Sequence, residues 1–381
     1  MKTYDVVIVG GGIIGGSLAF ELARRNLRVV VLDRQELAHE ASWAAAGMLS
    51  PAPDCPAAIP LVPLARTSLG LYPAFIATIE EAAEIATGYE TGGTLEVLCH
   101  GDAERELSTL VALHHGLGLA CEPLRLEEAQ EMEPALGRHA RAAAFLPNEA
   151  SVIPRSLTAA ILTASERAGA ELRPGMEVNS LVKDKNRCVG VKTSGGETFS
   201  ARHIVVAAGC WSSQLSDVAR YAPTRPVRGQ MVALRNAGIP LRRVVRSERG
   251  YIVPRDHDGR QILVAGSTLE NAGYEKAVTS GGLEEILGAV NELAPSLAGA
   301  EILETWSGLR PGSPDQLPIL GPTDLEGLLI ATGHYRNGIL LAPITAKLLT
   351  EWITEGRTSI NCDDFSPLRF LRDNADWTAT A

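Results

Sequence analysis

Aromatic side chains are scarce, at 5% of 381 residues. The six cysteines are Cys55, Cys99, Cys121, Cys188, Cys210 and Cys362. They form no C-x-x-C pair, and no His-Cys cluster has metal-ligand spacing, so neither a zinc site nor a disulfide framework is expected. Scattered thiols of this kind fit a reducing, cytoplasmic setting. No apolar run reaches the length of a membrane span, and stable membrane insertion is not expected. Lys2 before an apolar stretch imitates a signal peptide, but no cleavage-site pattern follows. Charge blocks are also missing. The net charge of −10 is spread along the chain, which argues against nucleic acid as the partner.

What remains is an ordinary globular composition, 45% hydrophobic and 21% charged, at a length that suggests about two domains. Glycine opens the argument. Tyr4-Asp5-Val6-Val7-Ile8-Val9 predicts a buried parallel strand. Gly10-Gly11-Gly12-Ile13-Ile14-Gly15 follows, then a helix through Arg25, then a strand Val29 to Leu32 ending on Asp33. This is the complete dinucleotide-binding βαβ fingerprint. Gly10 turns the chain, Gly12 lets backbone approach a pyrophosphate, and Gly15 lets helix and strand pack. The helix start attracts phosphate, and Asp33 accepts from ribose hydroxyls. Arg34, next in line, would suit a 2′-phosphate and keeps a nicotinamide cofactor open as an alternative.

Further along, Ala38 to Pro51 is rich in small residues, which suits a segment lying against a flat ring or another backbone. Helices are expected over 61–87, 102–117, 153–168 and 283–293. A Ser194-Gly195-Gly196 turn predicts a hairpin, and His203 to Gly209 predicts a buried strand running into glycine. Short strands between 225 and 304 are spaced for an antiparallel sheet. The strand Leu328 to Thr332 leads to a glycine-bounded loop and a last helix. Pro343 is tolerated only in a first turn, so that helix should start near Ile339 or Leu340.

Five stretches carry a resemblance. They are Gly10 to Gly15, Ala44 to Leu49, Tyr251-Ile252-Val253-Pro254-Arg255, Gly308-Leu309-Arg310-Pro311-Gly312 and Gly333 to Pro343. Together the chain resembles the glycine oxidases of the D-amino acid oxidase superfamily, flavoenzymes linked to thiamine biosynthesis. The likeness covers nearly the whole chain. It implies an α/β fold, with a Rossmann-like FAD-binding domain and an antiparallel-sheet substrate domain of α+β character. The FAD-binding domain is expected at 1–85, 147–224 and 305–381, the substrate domain at 86–146 and 225–304.

The resemblance also implies site residues. FAD would contact Gly10, Gly12, Ile14, Gly15 and Asp33, and Ala44, Ala45, Gly47, Met48 and Leu49 beside the flavin ring. Val178, Ala208, Gly209 and Trp211 would add to these, with Arg310, Gly333, His334, Arg336, Asn337, Gly338 and Ile339. Tyr251, Arg310 and Arg336 would act in catalysis, and Met48 and Leu269 would line the substrate pocket. Arg310 offers a bidentate fork to a carboxylate. No cysteine lies between Cys210 and Cys362, where covalent relatives tether flavin, so FAD is expected to be non-covalent. The implied partners are a small amino acid or amine and molecular oxygen, in a homo-oligomer. The implied products are the imine or glyoxylate, ammonia and hydrogen peroxide. A dehydrogenase of D-amino acids or proline-type amines, passing electrons to a quinone, is the alternative. A flavin-bearing protein without turnover is disfavoured by the set Tyr251, Arg310 and Arg336.

Overall fold

The computed structural model describes residues 3–235, 239–257 and 260–372. The outer ends of the expected domains, at 1–2 and 373–381, lie outside them. Two eight-stranded sheets make up the fold. The first is built on β1 (Thr3–Val9), which pairs in parallel with β2 (Val29–Leu32) on one side and β3 (Thr198–Val206) on the other. The strand Leu328–Thr332 continues the parallel run beside β3. The β-branched run of β1 is buried on both faces. Val6 and Ile8 enter one core, Val7 and Val9 the other. The hairpin expected at Ser194-Gly195-Gly196 joins two antiparallel strands at this sheet's edge.

Helices α1 (Ile13–Ala23), α2 (Val62–Ala83), α3 (Pro154–Arg167) and α4 (Gly338–Glu355) cover one face. The helical stretch Pro56–Ala83 is long and apolar enough to cross a membrane by length and composition, contrary to expectation. Its composition answers to a core role: Leu64, Tyr72, Ile76 and Ile79 are buried against neighbouring helices.

α4 starts at Gly338, earlier than expected, which puts Pro343 beyond the first turn. Proline has no N–H to give the carbonyl four residues back, that of Ile339. The Tyr72 hydroxyl donates to that carbonyl instead, and Ser68 donates to the next one, Leu340, at 2.6 Å.

The second sheet contains β4 (Arg225–Arg235), β5 (Gly250–His257), β6 (Arg260–Gly266) and β7 (Glu301–Gly312), in the spatial order β7-β4-β6-β5. All three pairings are antiparallel, as expected. The strand Val244–Ser247, not foreseen, runs antiparallel to β5 but parallel to Thr94–Leu98, which joins the 94–146 strands to the sheet. The expected boundary at 305 falls inside β7, which pairs with β4 from Glu301 to Gly312. Alternation along β4 sorts the two faces: Val232 and Leu234 meet the helix Ser280–Leu293, while Met231 and Ala233 meet Ala44 and Ala46. The second sheet therefore lies on the small-residue segment at Ala44 to Ala46.

Candidate active site

One cleft runs from the end of β1 to the face of the second sheet, with a cavity of about 390 Å³. At its nucleotide end the chain leaves β1 through Gly10, whose φ of +112° is a left-handed conformation that favours glycine. Gly12 caps α1 with no side-chain hydrogen bond, and no acidic residue occupies the first turn. A Cβ placed on Gly12 would meet only Ser42 Oγ, at 3.1 Å, so backbone here fronts open space. Ser42 also accepts from the Ile13 N–H at 2.9 Å. Asp33 Oδ2 accepts from the Gly11 N–H at 2.7 Å and Oδ1 from the Gln35 N–H at 3.1 Å. Burial raises the Asp33 carboxyl above its ordinary value, against those two donors. A carboxylate has about four acceptor positions, so capacity remains for hydroxyls. An open helix N-terminus beside an acid at the end of β2 fits the diphosphate and ribose of FAD.

Arg34 takes no free position that a 2′-phosphate would use. Its guanidinium lies 3.8 Å from the Trp211 ring centroid and pairs with Glu40 at 2.8 Å. Tyr274, between β6 and the helix Ser280–Leu293, packs on Trp211 at 5.7 Å and donates to the Cys210 carbonyl at 3.0 Å. Cys210 lines the cleft, but burial pushes its thiol up to about 12, far from the reactive thiolate.

In the middle of the cleft, residues 41–44 form a single helical turn and Met48–Leu49 pairs with Ala150–Ser151. The segment lies on β7: Trp306 Nε1 donates to the Ala44 carbonyl at 3.1 Å, and a Cβ on Gly308 would sit 2.4 Å from Ala44 Cβ. Small residues were expected here for such a close approach. Arg255 donates to the Ala46 carbonyl at 2.6 Å and ties the same segment to β5.

At the far end, Arg310 on β7 lies across β4. A Cβ on Gly229 would fall 2.3 Å from its Nη1, so glycine there leaves room for the guanidinium. Nη2 donates to Ser267 Oγ at 2.6 Å and Nη1 to the Thr268 carbonyl at 3.2 Å. Burial lowers the Arg310 guanidinium from its ordinary value, with Arg336 adding to the effect. It remains a cation, as guanidinium does in proteins. Tyr251 lines the same space, its hydroxyl 3.4 Å from Met231 Sδ. Arg336 lines it too, paired with Asp54 at 3.2 Å. Three arginines therefore line the cleft, and two of them have carboxylate partners. Among the described residues none pairs with Arg310.

The cleft lining includes Gly10, Gly12, Ile14, Asp33, Ala44, Ala45, Gly47, Met48, Val178, Ala208, Gly209, Trp211, Tyr251, Arg310, His334, Arg336, Gly338 and Ile339. Five expected residues lie apart from it. Gly15 packs on the Gly10 carbonyl, Leu49 is in the core, and Gly333 and Asn337 shape the loop before α4. Leu269 is 62% exposed, so it does not line the pocket as expected. His334 is buried, with Nε2 3.1 Å from Thr345 Oγ1, and burial holds it neutral down to about pH 3. It offers no base. Ser42, Asp54, Gly229 and Ser267 were missed. Each acts on a partner far away in sequence, which leaves no local signature.

A βαβ cradle at one end and, at the other, a buried arginine with no carboxylate partner among the described residues fit a dinucleotide-dependent enzyme. Comparison with known proteins narrows this. A family described as FAD dependent oxidoreductase matches residues 5–352. Glycine oxidase of Geobacillus kaustophilus is 36% identical over 373 residues, 97% of each chain. The crystal structure of glycine oxidase from that organism superposes with a TM-score of 0.91 at 34% identity, covering 97% of this chain and 99% of the other. The bifunctional protein ThiO/ThiG of Trichormus variabilis is 36% identical over 97% of this chain, which spans 56% of that longer protein. Iminodiacetate oxidase from Chelativorans sp. matches in structure with a TM-score of 0.84 at 29% identity, over 95% of this chain and 98% of that one. The chain belongs to the FAD-dependent oxidoreductase family, and its cofactor is FAD.

Proposed function

We propose that this protein oxidises glycine and similarly small amino acids, with molecular oxygen as the final acceptor. The observation that carries this is Arg310: a buried guanidinium in the cleft, beside Tyr251, with no carboxylate of its own among the described residues. The Arg310 fork would take the substrate carboxylate through parallel hydrogen bonds, held in aim by Ser267 and the Thr268 carbonyl. Tyr251 would close the far side of the carboxylate. Met48, on the segment beside the flavin, would limit the room for a side chain on the α-carbon.

FAD supplies the hydride acceptor. Its diphosphate would rest at Gly10 to Gly15 and its ribose on Asp33, with no covalent link. The start of α4, behind Gly338, would face the flavin and favour negative charge there. No side-chain base is required, in keeping with the neutral His334, provided the substrate amine is itself neutral. The imine product hydrolyses to the oxo acid and ammonia, and oxygen leaves as hydrogen peroxide. A homo-oligomeric cytoplasmic enzyme serving thiamine biosynthesis is the wider setting we propose. The likeness to glycine oxidases and to a protein that joins ThiO with ThiG supports it.

The test is direct. Glycine should bleach the yellow holoenzyme without oxygen, and air should then restore the colour with release of peroxide. A protein that glycine bleaches but air leaves colourless is a dehydrogenase. One that glycine does not bleach has another substrate.

A further inference from the structure

We infer that Asp54 determines substrate selectivity: by holding Arg336 it limits the site to amines with one carboxylate and excludes those with two. The inference deepens the proposed function and rests on Arg310 as carboxylate anchor.

Two guanidiniums reach the substrate end of the cleft, Arg310 and Arg336. Two such groups would ordinarily invite a diacid. Asp54 sets a negative charge against one of them. Its Oδ1 lies 3.2 Å from Arg336 Nη1, and the carboxylate also bears on Arg310 through space. The pair is half exposed, at 37% and 41% of the two side chains. Ion pairs that exposed add little to stability, so a purely structural reason for it is weak. Asp54 approaches from outside the cleft lining, on the loop before Pro56. A second substrate carboxylate at Arg336 would have to share the guanidinium with Asp54 and remain beside that negative charge. Like charges a few ångströms apart at a protein surface cost roughly tenfold or more in affinity. A single carboxylate, bound at Arg310, meets neither obstacle.

The experiment compares glycine with iminodiacetate, which carries the second carboxylate on the amine. Anaerobic flavin reduction is followed in the holoenzyme at low salt, as a function of concentration of each amine. FAD content is read from the visible spectrum of each variant. In D54N, the efficiency ratio of iminodiacetate to glycine should rise about tenfold. The rise should come from tighter binding, with the limiting rates changed less than threefold. D54E should return the ratio to the wild-type value, since it restores the charge. D54N combined with R336M should lose the gain, because the freed guanidinium is what the second carboxylate uses.

An unchanged ratio in flavin-replete D54N, with R310M still unable to oxidise glycine, overturns the role of Asp54 and leaves the anchor standing. An R310M protein that reduces its flavin with glycine as well as wild type overturns the anchor, and the selectivity argument falls with it.

Discussion

Arg310 concentrates the chemistry of the cleft in one side chain. A small substrate has few atoms to hold, and hydride transfer needs its α-carbon in a near-attack position. Hydrogen bonds to a charged group contribute about 1.5–3 kcal/mol. Arg310→Ala should therefore lower the efficiency of flavin reduction by glycine about 10- to 1000-fold, the upper end reflecting lost orientation. Arg310→Lys should fail nearly as badly. An ammonium keeps the charge but not the planar fork that Ser267 and the Thr268 carbonyl hold in place. FAD content should be normal in both, and stopped-flow reduction under anaerobic conditions decides. Wild-type efficiency in Arg310→Ala would remove this residue from the site. The sequence offered Arg310 by resemblance and by its Gly/Pro frame, which suggested a loop; the structure places it on β7, paired with Val227. The sequence did not offer Gly229, because the need for a glycine there arises only when β4 and β7 are paired.

The helix pair α2 and α4 shows how an element can accept a residue that its local rules forbid. Pro343 leaves the Ile339 carbonyl without its helical donor, and the buried Tyr72 hydroxyl supplies one. An unsatisfied buried carbonyl costs about 1–3 kcal/mol. Tyr72→Phe should destabilise the protein by that amount, seen as a lower urea midpoint. The loss should shrink in a Pro343→Ala background, where residue 343 again has an N–H to give. Equal losses in both backgrounds would show that Tyr72 matters for packing alone. Elements with strong local signals were legible: β1, α1, β2 and the Ser194-Gly195-Gly196 hairpin follow from β-branched runs and glycine spacing. Val244–Ser247 and Glu122–Leu124 were not. Strands this short hold by their neighbours rather than by their own pattern.

At the scale of the molecule, the cofactor is a structural member as well as a reactant. Its cleft is walled by both sheets, by the small-residue segment and by the start of α4. A ligand bound only to the native state stabilises it by mass action. Gly12→Val would fill the open space before α1, against Ser42 Oγ. The expected product is a colourless protein with a thermal midpoint close to that of wild type stripped of flavin. Acid precipitation of the wild type should leave its flavin in the supernatant, since the cleft cysteine is a buried, protonated thiol. A yellow Gly12→Val protein, or flavin retained in the pellet, would contradict this placement of the cofactor. The antiparallel sheet that begins at β4 was legible, because strand character changes near Arg225. The expected boundary at 305 divides β7, whose full length pairs with β4, a pairing that no local pattern announces.

The parallel sheet is stitched from stretches far apart in the chain, with β1 near one end and Leu328–Thr332 near the other. On the ribosome this has a temporal meaning. The phosphate cradle, Gly10 to Gly15, emerges more than three hundred residues ahead of Thr332 to Ile339, which close the cleft. At about 5–20 residues per second the interval lasts on the order of tens of seconds. Until residues 198–206 are made the nascent β1 lacks β3 beside it, and for the whole interval the cleft is incomplete. Completion of the flavin cleft is thus a late event of biosynthesis.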